Sequence, residues 1–117
     1  FKLDMDMIKN NDGKVFLAIE NDLIIGLIMG IVEKKDEIDK LTNDCAKTGN
    51  VIELIVKSDI RGNGIGKDLL EKIENYFKSI NCKRINIEVF GPNEKGLNFY
   101  KKNGYIIRDM IVSKKIS

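Results

Sequence analysis

Histidine is absent from this 117-residue chain, and cysteine occurs only twice. Without histidine, Ser-His-Asp and Cys-His catalysis are excluded, and so are most zinc sites. The two cysteines, Cys45 and Cys82, are far apart and match no metal-binding spacing. We therefore expect no metal, and any proton transfer must use carboxylates, lysine, tyrosine or cysteine.

An excess of one charge and a long apolar run are also missing. The 20 basic and 18 acidic residues nearly balance, and no basic patch is interleaved with aromatic residues, so we expect no nucleic-acid partner. No apolar run approaches the roughly 18 residues of a membrane-spanning helix. The first ten residues have the pattern of neither a signal peptide nor a transit peptide. These features predict one cytoplasmic domain over residues 1–117, with no membrane partner.

The most informative stretch runs from residue 51 to residue 80. Residues 51–56 form an apolar run interrupted only by Glu53, which predicts a buried strand. A glycine-rich loop follows, and a helical pattern then covers residues 65–80. Its apolar face consists of Ile65, Leu69, Leu70, Ile73, Phe77 and Ile80. A helix that begins after a glycine loop offers unpaired backbone N–H groups to an anion, above all to phosphate.

The spacing of the three glycines narrows the kind of phosphate site. Counted from Gly62 or from Gly64, the sixth residue is not glycine, so the dinucleotide pattern G-x-G-x-x-G does not fit. A P-loop ending at Gly66 would need a glycine where Arg61 stands. What remains is Arg-x-x-Gly-x-Gly between a strand and a helix. The alternative is a glycine-rich turn without a ligand, which would cost backbone entropy and pack nothing.

The chain around this stretch has the pattern of a mixed α/β sheet. Apolar runs at 15–20 and 23–32 flank a short turn and predict a hairpin, whose second strand is apolar on both faces and therefore central. Residues 33–50 are charged and predict a surface connection. Residues 84–90 alternate as a strand, so the 51–56 strand, the helix and this strand form a parallel βαβ unit.

The last third of the chain predicts a helix followed by a strand. Asn93 is a good N-cap for a helix over residues 94–102, and Gly104 fits the left-handed position that ends it. Residues 105–112, YIIRDMIV, predict the final strand. The segment PNEKGLNFYKKNGY, residues 92–105, is a second motif beside the glycine loop.

Together the two motifs resemble the GNAT superfamily of N-acetyltransferases. Residues 61–66 match its acetyl-coenzyme A signature: Arg or Gln, two residues, Gly, any residue, and Gly or Ala. Residues 93–105 match its later pattern of an Asn, an aromatic–Tyr pair and a Lys-x-Gly-aromatic ending. The resemblance covers roughly residue 15 to the C-terminus. It implies a mainly antiparallel mixed sheet with a central parallel βαβ unit, and transfer of an acetyl group from acetyl-CoA to a primary amine.

The resemblance also assigns the residues that bind the cofactor. In the family, N–H groups of the glycine loop hold the pyrophosphate, and the pantetheine arm fills a gap between the two parallel strands. By position, the strand side of the site is Leu54, Ile55 and Val56, and Asn93 is the binding residue at the last helix. The loop side of the site is Arg61, Gly62, Asn63, Gly64, Ile65, Gly66 and Lys67.

Two residues are candidates for proton transfer. By family position, Tyr100 points toward the sulfur and donates a proton to the CoA thiolate, and the alternative is a core aromatic. Glu53 is the odd carboxylate in an apolar strand and a candidate base for the incoming ammonium, directly or through water. The alternative for Glu53 is a cation partner or a solvent-facing position. Cys82 as an acyl-carrying nucleophile is a third hypothesis, and a buried structural cysteine is the better interpretation.

The start of the chain departs from the family. Family members open with a strand and one or two helices that help to wall the acceptor side, whereas about fourteen residues precede the predicted hairpin here. We expect that part to be missing or shortened, and residues 15–20 to form an exposed edge strand. We also expect a homodimer with an open acceptor pocket. The competing hypothesis is a catalytically weak or inactive CoA-binding regulatory module.

Overall fold

The protein has a mixed α/β fold in which helices are interspersed with the strands of one sheet. The computed structural model describes residues 4–33, 47–60, 62–89 and 92–116. In chain order the elements are α1 (Met5–Asn10), β1 (Lys14–Glu20), β2 (Leu23–Val32), β3 (Lys47–Val56), a 3-10 turn (Ser58–Ile60), α2 (Ile65–Ser79), β4 (Cys82–Ile87) and α3 (Glu94–Lys102).

The four strands form one sheet in the order β1-β2-β3-β4. The β1–β2 and β2–β3 pairs are antiparallel, and the β3–β4 pair is parallel, with α2 as the crossover. Asn21 and Asp22 connect β1 to β2 with φ angles of 50° and 63°. Two successive left-handed residues are typical of the tight turn that suits the twist of a hairpin. The predicted hairpin, the central position of β2 and the parallel βαβ unit are all confirmed.

Helix α2 packs against one face of this sheet at a distance that glycines set. Phe77 has no exposed surface, and its ring lies over Gly30 of β2 and Gly49 of β3. A Cβ atom at Gly30 would lie 2.7 Å from the ring, and one at Gly49 would lie 2.6 Å from it. At Gly26, a Cβ atom would lie 3.2 Å from the Leu69 side chain. The close approach of helix and sheet therefore requires glycine at these positions.

Two predicted strand boundaries are wrong. Strand β3 begins at Lys47, so the end of the predicted 33–50 connection belongs to the sheet. Strand β4 covers Cys82–Ile87, so it begins two residues before the predicted 84–90 strand and ends before residue 88; residue 90 lies outside the described residues. Residues 47–50 have little intrinsic strand preference, and pairing makes them extended: all four pair with β4, and residues 49 and 50 also pair with β2. The rest of that connection, including Cys45, lies outside the described residues.

The predicted strand over residues 105–112 is also wrong. The described residues after α3 have no regular secondary structure. The side chains of Ile106 and Met110 are each 81% exposed, and those of Ile111 and Val112 are 89% and 90% exposed. Strand-forming composition makes a strand only where a neighbouring edge pairs with it, and this segment has no such partner among the described residues.

A short helix precedes the hairpin. Met5 and Met7 lie in helix α1, whose N-cap Asp4 accepts a hydrogen bond from the Met7 N–H at 3.0 Å. A hydrogen bond of 2.6 Å from the Tyr76 hydroxyl to the Asp12 carbonyl ties the following turn to α2. Within the described residues, α1 is the one helix before β1, and β1 is an edge strand as expected.

Membrane and metal features are absent from the part of the chain that the structure describes. None of its helices is long and apolar enough to cross a bilayer. In the same residues, the side chains that could bind a metal ion (here Cys, Asp and Glu) form no group of three or more.

Replacing Gly49 with alanine should destabilise the protein by about 1–3 kcal/mol, because the new methyl group would overlap the Phe77 ring. Phe77→Leu removes part of that ring and should relieve some of the overlap. The double variant should therefore lose less stability than the sum of the two single changes. Urea unfolding of the four proteins measures this coupling. Strictly additive losses would show that the Phe77–Gly49 contact does not set the helix-to-sheet distance.

Candidate active site

The glycine loop before α2 has a backbone that only glycine adopts without strain. Gly62 and Gly64 have φ angles of +94° and +81°. A Cβ atom at either position would meet nothing within 4 Å. The two glycines are therefore required for the turn and leave open space beside it, where a ligand has room to approach the backbone.

The helix that follows this loop starts without a side-chain cap. Gly64 is the N-cap residue of α2, and no side chain accepts a hydrogen bond from the first turn of that helix. In contrast, Asp4 caps α1, and Asn93 caps α3 by accepting from the Gly96 N–H at 3.0 Å. The N–H groups of the first turn of α2 and the positive end of its dipole are thus directed at the open space, an arrangement that favours an anion.

Gly66 joins three elements at this end of the sheet. A Cβ atom there would lie 3.3 Å from the Phe99 ring of α3 and 3.8 Å from the Val56 side chain of β3. The side chain of Ile65 turns toward the sheet near Gly26. Gly66 therefore has a packing role that the sequence analysis missed, because it allows α3 to approach the start of α2.

The two parallel strands separate beside the loop. Their ladder runs from Lys47↔Cys82 to Val51↔Ile87, whereas β3 continues to Val56. The side of Leu54 and Ile55 that faces away from β2 has no ladder partner in the described part of the chain. Leu54 packs on the core, and Ile55 is 38% exposed. This is the kind of gap that was expected to receive an amide-containing chain.

Tyr100 lies in the last turn of α3 and is held by aromatic neighbours. Its ring is 5.3 Å from that of Phe99 and 5.8 Å from that of Tyr105, both in edge-on arrangements. Tyr105 in turn donates a hydrogen bond of 2.7 Å from its hydroxyl to the Glu74 carboxylate of α2. Burial, and then the negative charge of Glu53, raise the pKa of the Tyr100 phenol, which keeps it protonated at neutral pH.

Glu53 lies in β3 at an irregular position of the sheet. It is half-buried and pairs with Met29 of β2. Gly30 pairs with Val51, so Ile52 is an extra residue in β3. Such a bulge re-aims the side chains next to it. The charge of Glu53 contributes to the raised pKa of the Tyr100 phenol, so the two residues predicted for proton transfer lie within electrostatic range of each other.

The other residues predicted for the site are partly exposed, partly engaged within the protein and partly outside the described residues. Asn63 and Lys67 are exposed at the loop and the helix start, and Arg61 lies outside the described residues. Asn93 acts as the predicted N-cap, so its side-chain oxygen is engaged within the protein. Cys82 is 8% exposed, and burial raises the pKa of its thiol in spite of nearby Lys47. A protonated buried thiol fits the structural interpretation rather than an acyl-carrying nucleophile.

Sequence reasoning missed the groups that position Tyr100. The Tyr105–Glu74 hydrogen bond joins residues 31 positions apart. The aromatic cluster was visible as residue types, but neither its edge-on geometry nor its link to α2 has a local signal. The bulge at Ile52 has no turn residue that would have marked it.

Comparison with known proteins identifies the family. The model of the family described as "Acetyltransferase (GNAT) family" matches residues 2–105. The chain belongs to the GNAT acetyltransferase family. A relative from Methanocaldococcus jannaschii, named as an uncharacterized N-acetyltransferase, is 42% identical over 64 residues, which cover 54% of this chain and 41% of that protein.

Solved structures of GNAT proteins share the fold. A structure named as a putative acetyl transferase from Pyrococcus furiosus superposes with a TM-score of 0.79 at 26% identity, covering 96% of this chain and 71% of that one. Aminoglycoside N-acetyltransferase AAC(6')-Iy, solved in complex with CoA, superposes with a TM-score of 0.78 at 14% identity, covering 96% and 82%. The confirmed fold is therefore the GNAT-like mixed sheet.

Replacing Gly64 with alanine should weaken acetyl-CoA binding by tenfold or more. The methyl group would enter the open space beside the helix start and strain a left-handed residue by about 1–2 kcal/mol. Gly104→Ala is a matched control, because Gly104 has a φ of +92° and equally open surroundings but lies after α3. Calorimetric titration with acetyl-CoA should show a loss in the first variant and none in the second. Equal affinity in the Gly64 variant and wild type would contradict the assignment of the loop.

Proposed function

We propose that this GNAT protein is an N-acetyltransferase that moves an acetyl group from acetyl-CoA to a primary amine by direct attack. The observation that carries the proposal is that one end of the sheet joins an uncapped helix start, a gap between parallel strands and the Tyr100–Glu53 pair. The first two features suit an anionic cofactor with an amide-containing arm. The third supplies an acid and a base.

Acetyl-CoA fits the residues present. The first turn of α2 would hold the pyrophosphate through backbone N–H groups, with charge from Lys67 and, by the motif, Arg61. The β3 edge at Leu54 and Ile55 would pair with the amides of the pantetheine arm, with Val56 next to them. AAC(6')-Iy, which shares the fold, was solved in complex with CoA, and this supports a CoA compound as the ligand.

The chain's own groups account for the proton movements of the transfer. The amine nitrogen forms a bond to the thioester carbonyl carbon, and the carbon–sulfur bond breaks with its electron pair leaving on sulfur. A backbone N–H of β3 would stabilise the negative charge on the carbonyl oxygen. Glu53 takes the first proton that the ammonium must lose, directly or through water, and Tyr100 gives its proton to the thiolate. The second proton that the nitrogen loses, as the amide forms, returns to the Tyr100 phenolate. The products are an acetylated amine and CoA.

The acceptor is defined only as a primary amine. AAC(6')-Iy, which shares the fold, was solved in complex with the bisubstrate analogue CoA-S-monomethyl-acetylneamine, and this supports an amine acceptor. The matched parts span 41% and 71% of the two similar proteins described above. The cytoplasmic location also stays a prediction from the sequence.

Tyr100→Phe and Glu53→Gln should affect opposite limbs of the pH–rate profile. Tyr100→Phe should lower kcat roughly ten- to a thousandfold, since a general acid contributes about 10²–10⁴-fold and water replaces it in part. It should also remove the alkaline limb, because the raised pKa of Tyr100 places its deprotonation above the ordinary value near 10. Glu53→Gln should reduce the rate most at low pH, where the amine is protonated.

The matched control is Tyr105→Phe, which removes the same hydroxyl from the neighbouring ring. The Tyr105 hydroxyl donates a hydrogen bond to Glu74, so this change should reduce stability. The pH dependence of kcat should keep its shape. Thiol release from acetyl-CoA, measured across a panel of amines, is the assay. An unchanged kcat in Tyr100→Phe would return Tyr100 to a purely structural role. Acetyl-CoA binding without thiol release for any amine would favour the regulatory module instead.

We also propose a homodimer. The segment after α3 exposes several apolar side chains, and an exposed apolar surface is typical of an association site. Isoleucine 106, with 81% of its surface exposed, and Ile111, with 89%, are examples. Sedimentation velocity at protein concentrations of tens of micromolar should show a dimer. A monomer under these conditions would reject this proposal without affecting the catalytic one.

A further inference from the structure

The structure contains a cleft that lies away from the glycine loop. A cleft of about 320 Å³ opens between the second half of α2, strand β4 and the segment that follows α3. Its lining includes neither a residue of the Gly62–Lys67 loop nor Glu53 nor Tyr100. The volume is at the lower end of the range of small-molecule sites, about 300–1,000 Å³. Because the two sites share no lining residue, the cleft is separate from the proposed acetyl-CoA site.

Positive charge is concentrated around this cleft. Four cationic side chains line it: Lys78, Lys83, Arg84 and Arg108. The one carboxylate in the lining, Glu74, already accepts the Tyr105 hydroxyl. Four cations against one carboxylate give three net positive charges, which exceeds the net charge of +2 of the whole chain. Like charges around a concave surface focus a potential that attracts an anion.

The floor and the rim of the cleft have different chemistry. Phe77, Cys82 and Ile85 provide an apolar floor, and the Cys82 thiol is neutral because burial raises its pKa. The cationic side chains are exposed at the rim. Two of them, Arg84 and Arg108, have guanidinium groups, which bind planar or tetrahedral oxyanions through paired hydrogen bonds. An occupant would need a compact body for the floor and an anionic group for the rim.

We propose that this cleft binds a small molecule that bears a carboxylate or phosphate group, at a site separate from that of acetyl-CoA. The net positive charge around the cleft favours an anion over a neutral molecule or a second amine. The two guanidinium groups favour an oxyanion over a halide. Carboxylate and phosphate share this chemistry, and the experiment below separates them.

Calorimetric titrations with citrate and with inorganic phosphate, at fixed ionic strength, test the proposal. Each titration is run without CoA and with saturating CoA. We expect saturable binding of at least one of the two anions that survives the addition of CoA, because the cleft and the glycine loop have no lining residue in common. The anion with the higher affinity identifies the preferred group. No saturable binding of either anion, or displacement of the anion by CoA, would overturn the proposal.

Two double variants locate the anion. Arg84→Ala/Arg108→Ala should weaken anion binding about tenfold or more, since it removes both guanidinium groups. Lys101→Ala/Lys102→Ala is the control: it removes the same charge from exposed positions of α3 that do not line the cleft. Equal losses in both double variants would show a general charge effect and overturn the site. Thermal unfolding of both variants verifies that they are folded.

The same variants separate this proposal from the others. Acetyl-CoA affinity should be unchanged in Arg84→Ala/Arg108→Ala, so failure of the cofactor assignment and failure of the cleft give different results. Sedimentation of this variant shows whether a second copy of the chain covers the cleft. Conversion of a dimer to a monomer, together with no anion binding in wild type, would assign the cleft to a protein interface and overturn the proposal.

Discussion

The contact of the Phe77 ring with Gly30 and Gly49 is the constraint on which the rest of the structure depends. At these two positions, a side chain larger than hydrogen would push α2 away from the sheet. With the ring in place, Leu69, Leu70 and Ile73 reach the buried face of β2 and β3, and the helix lies close over the parallel pair. This is how burial of one helix face converts a set of strands into a packed domain.

The position of α2 then determines the site at its start. A helix held this close to the sheet has its N-terminus at the end of β3, where the parallel strands separate. Gly66 lets Phe99 approach, and Phe99 and Tyr105 hold the ring of Tyr100 between them. The site therefore combines rigid packing below with a loop of left-handed glycines and an uncapped helix end above. The uncapped N–H groups add nothing to stability by themselves, and an anionic ligand gives them a role.

Several elements were predictable because their signals are local. The apolar face of α2, the apolar runs of β1 and β2, the Asn93 cap and the left-handed Gly104 each follow from a few neighbouring residues. Residues 47–50 and 105–112 failed for the opposite reason. The first are extended because β4 pairs with all four of them and β2 with the last two. The second have strand-forming composition without a partner among the described residues. Strand formation depends on an edge elsewhere in the chain, which a local pattern does not contain.

The sequence by itself determined the fold class, the family and the identity of the candidate residues. Motif spacing and hydrophobic period depend on order along the chain, and both are read without coordinates. Only the tertiary structure decided that Glu53 and Tyr100, 47 positions apart in the numbering, act on one another, that Gly66 serves packing, and that cations from α2, β4 and the last segment surround one cleft. These relations arise where distant segments meet. Burial and charge act through space, so residues remote in the chain share them only after the sheet and helices have packed.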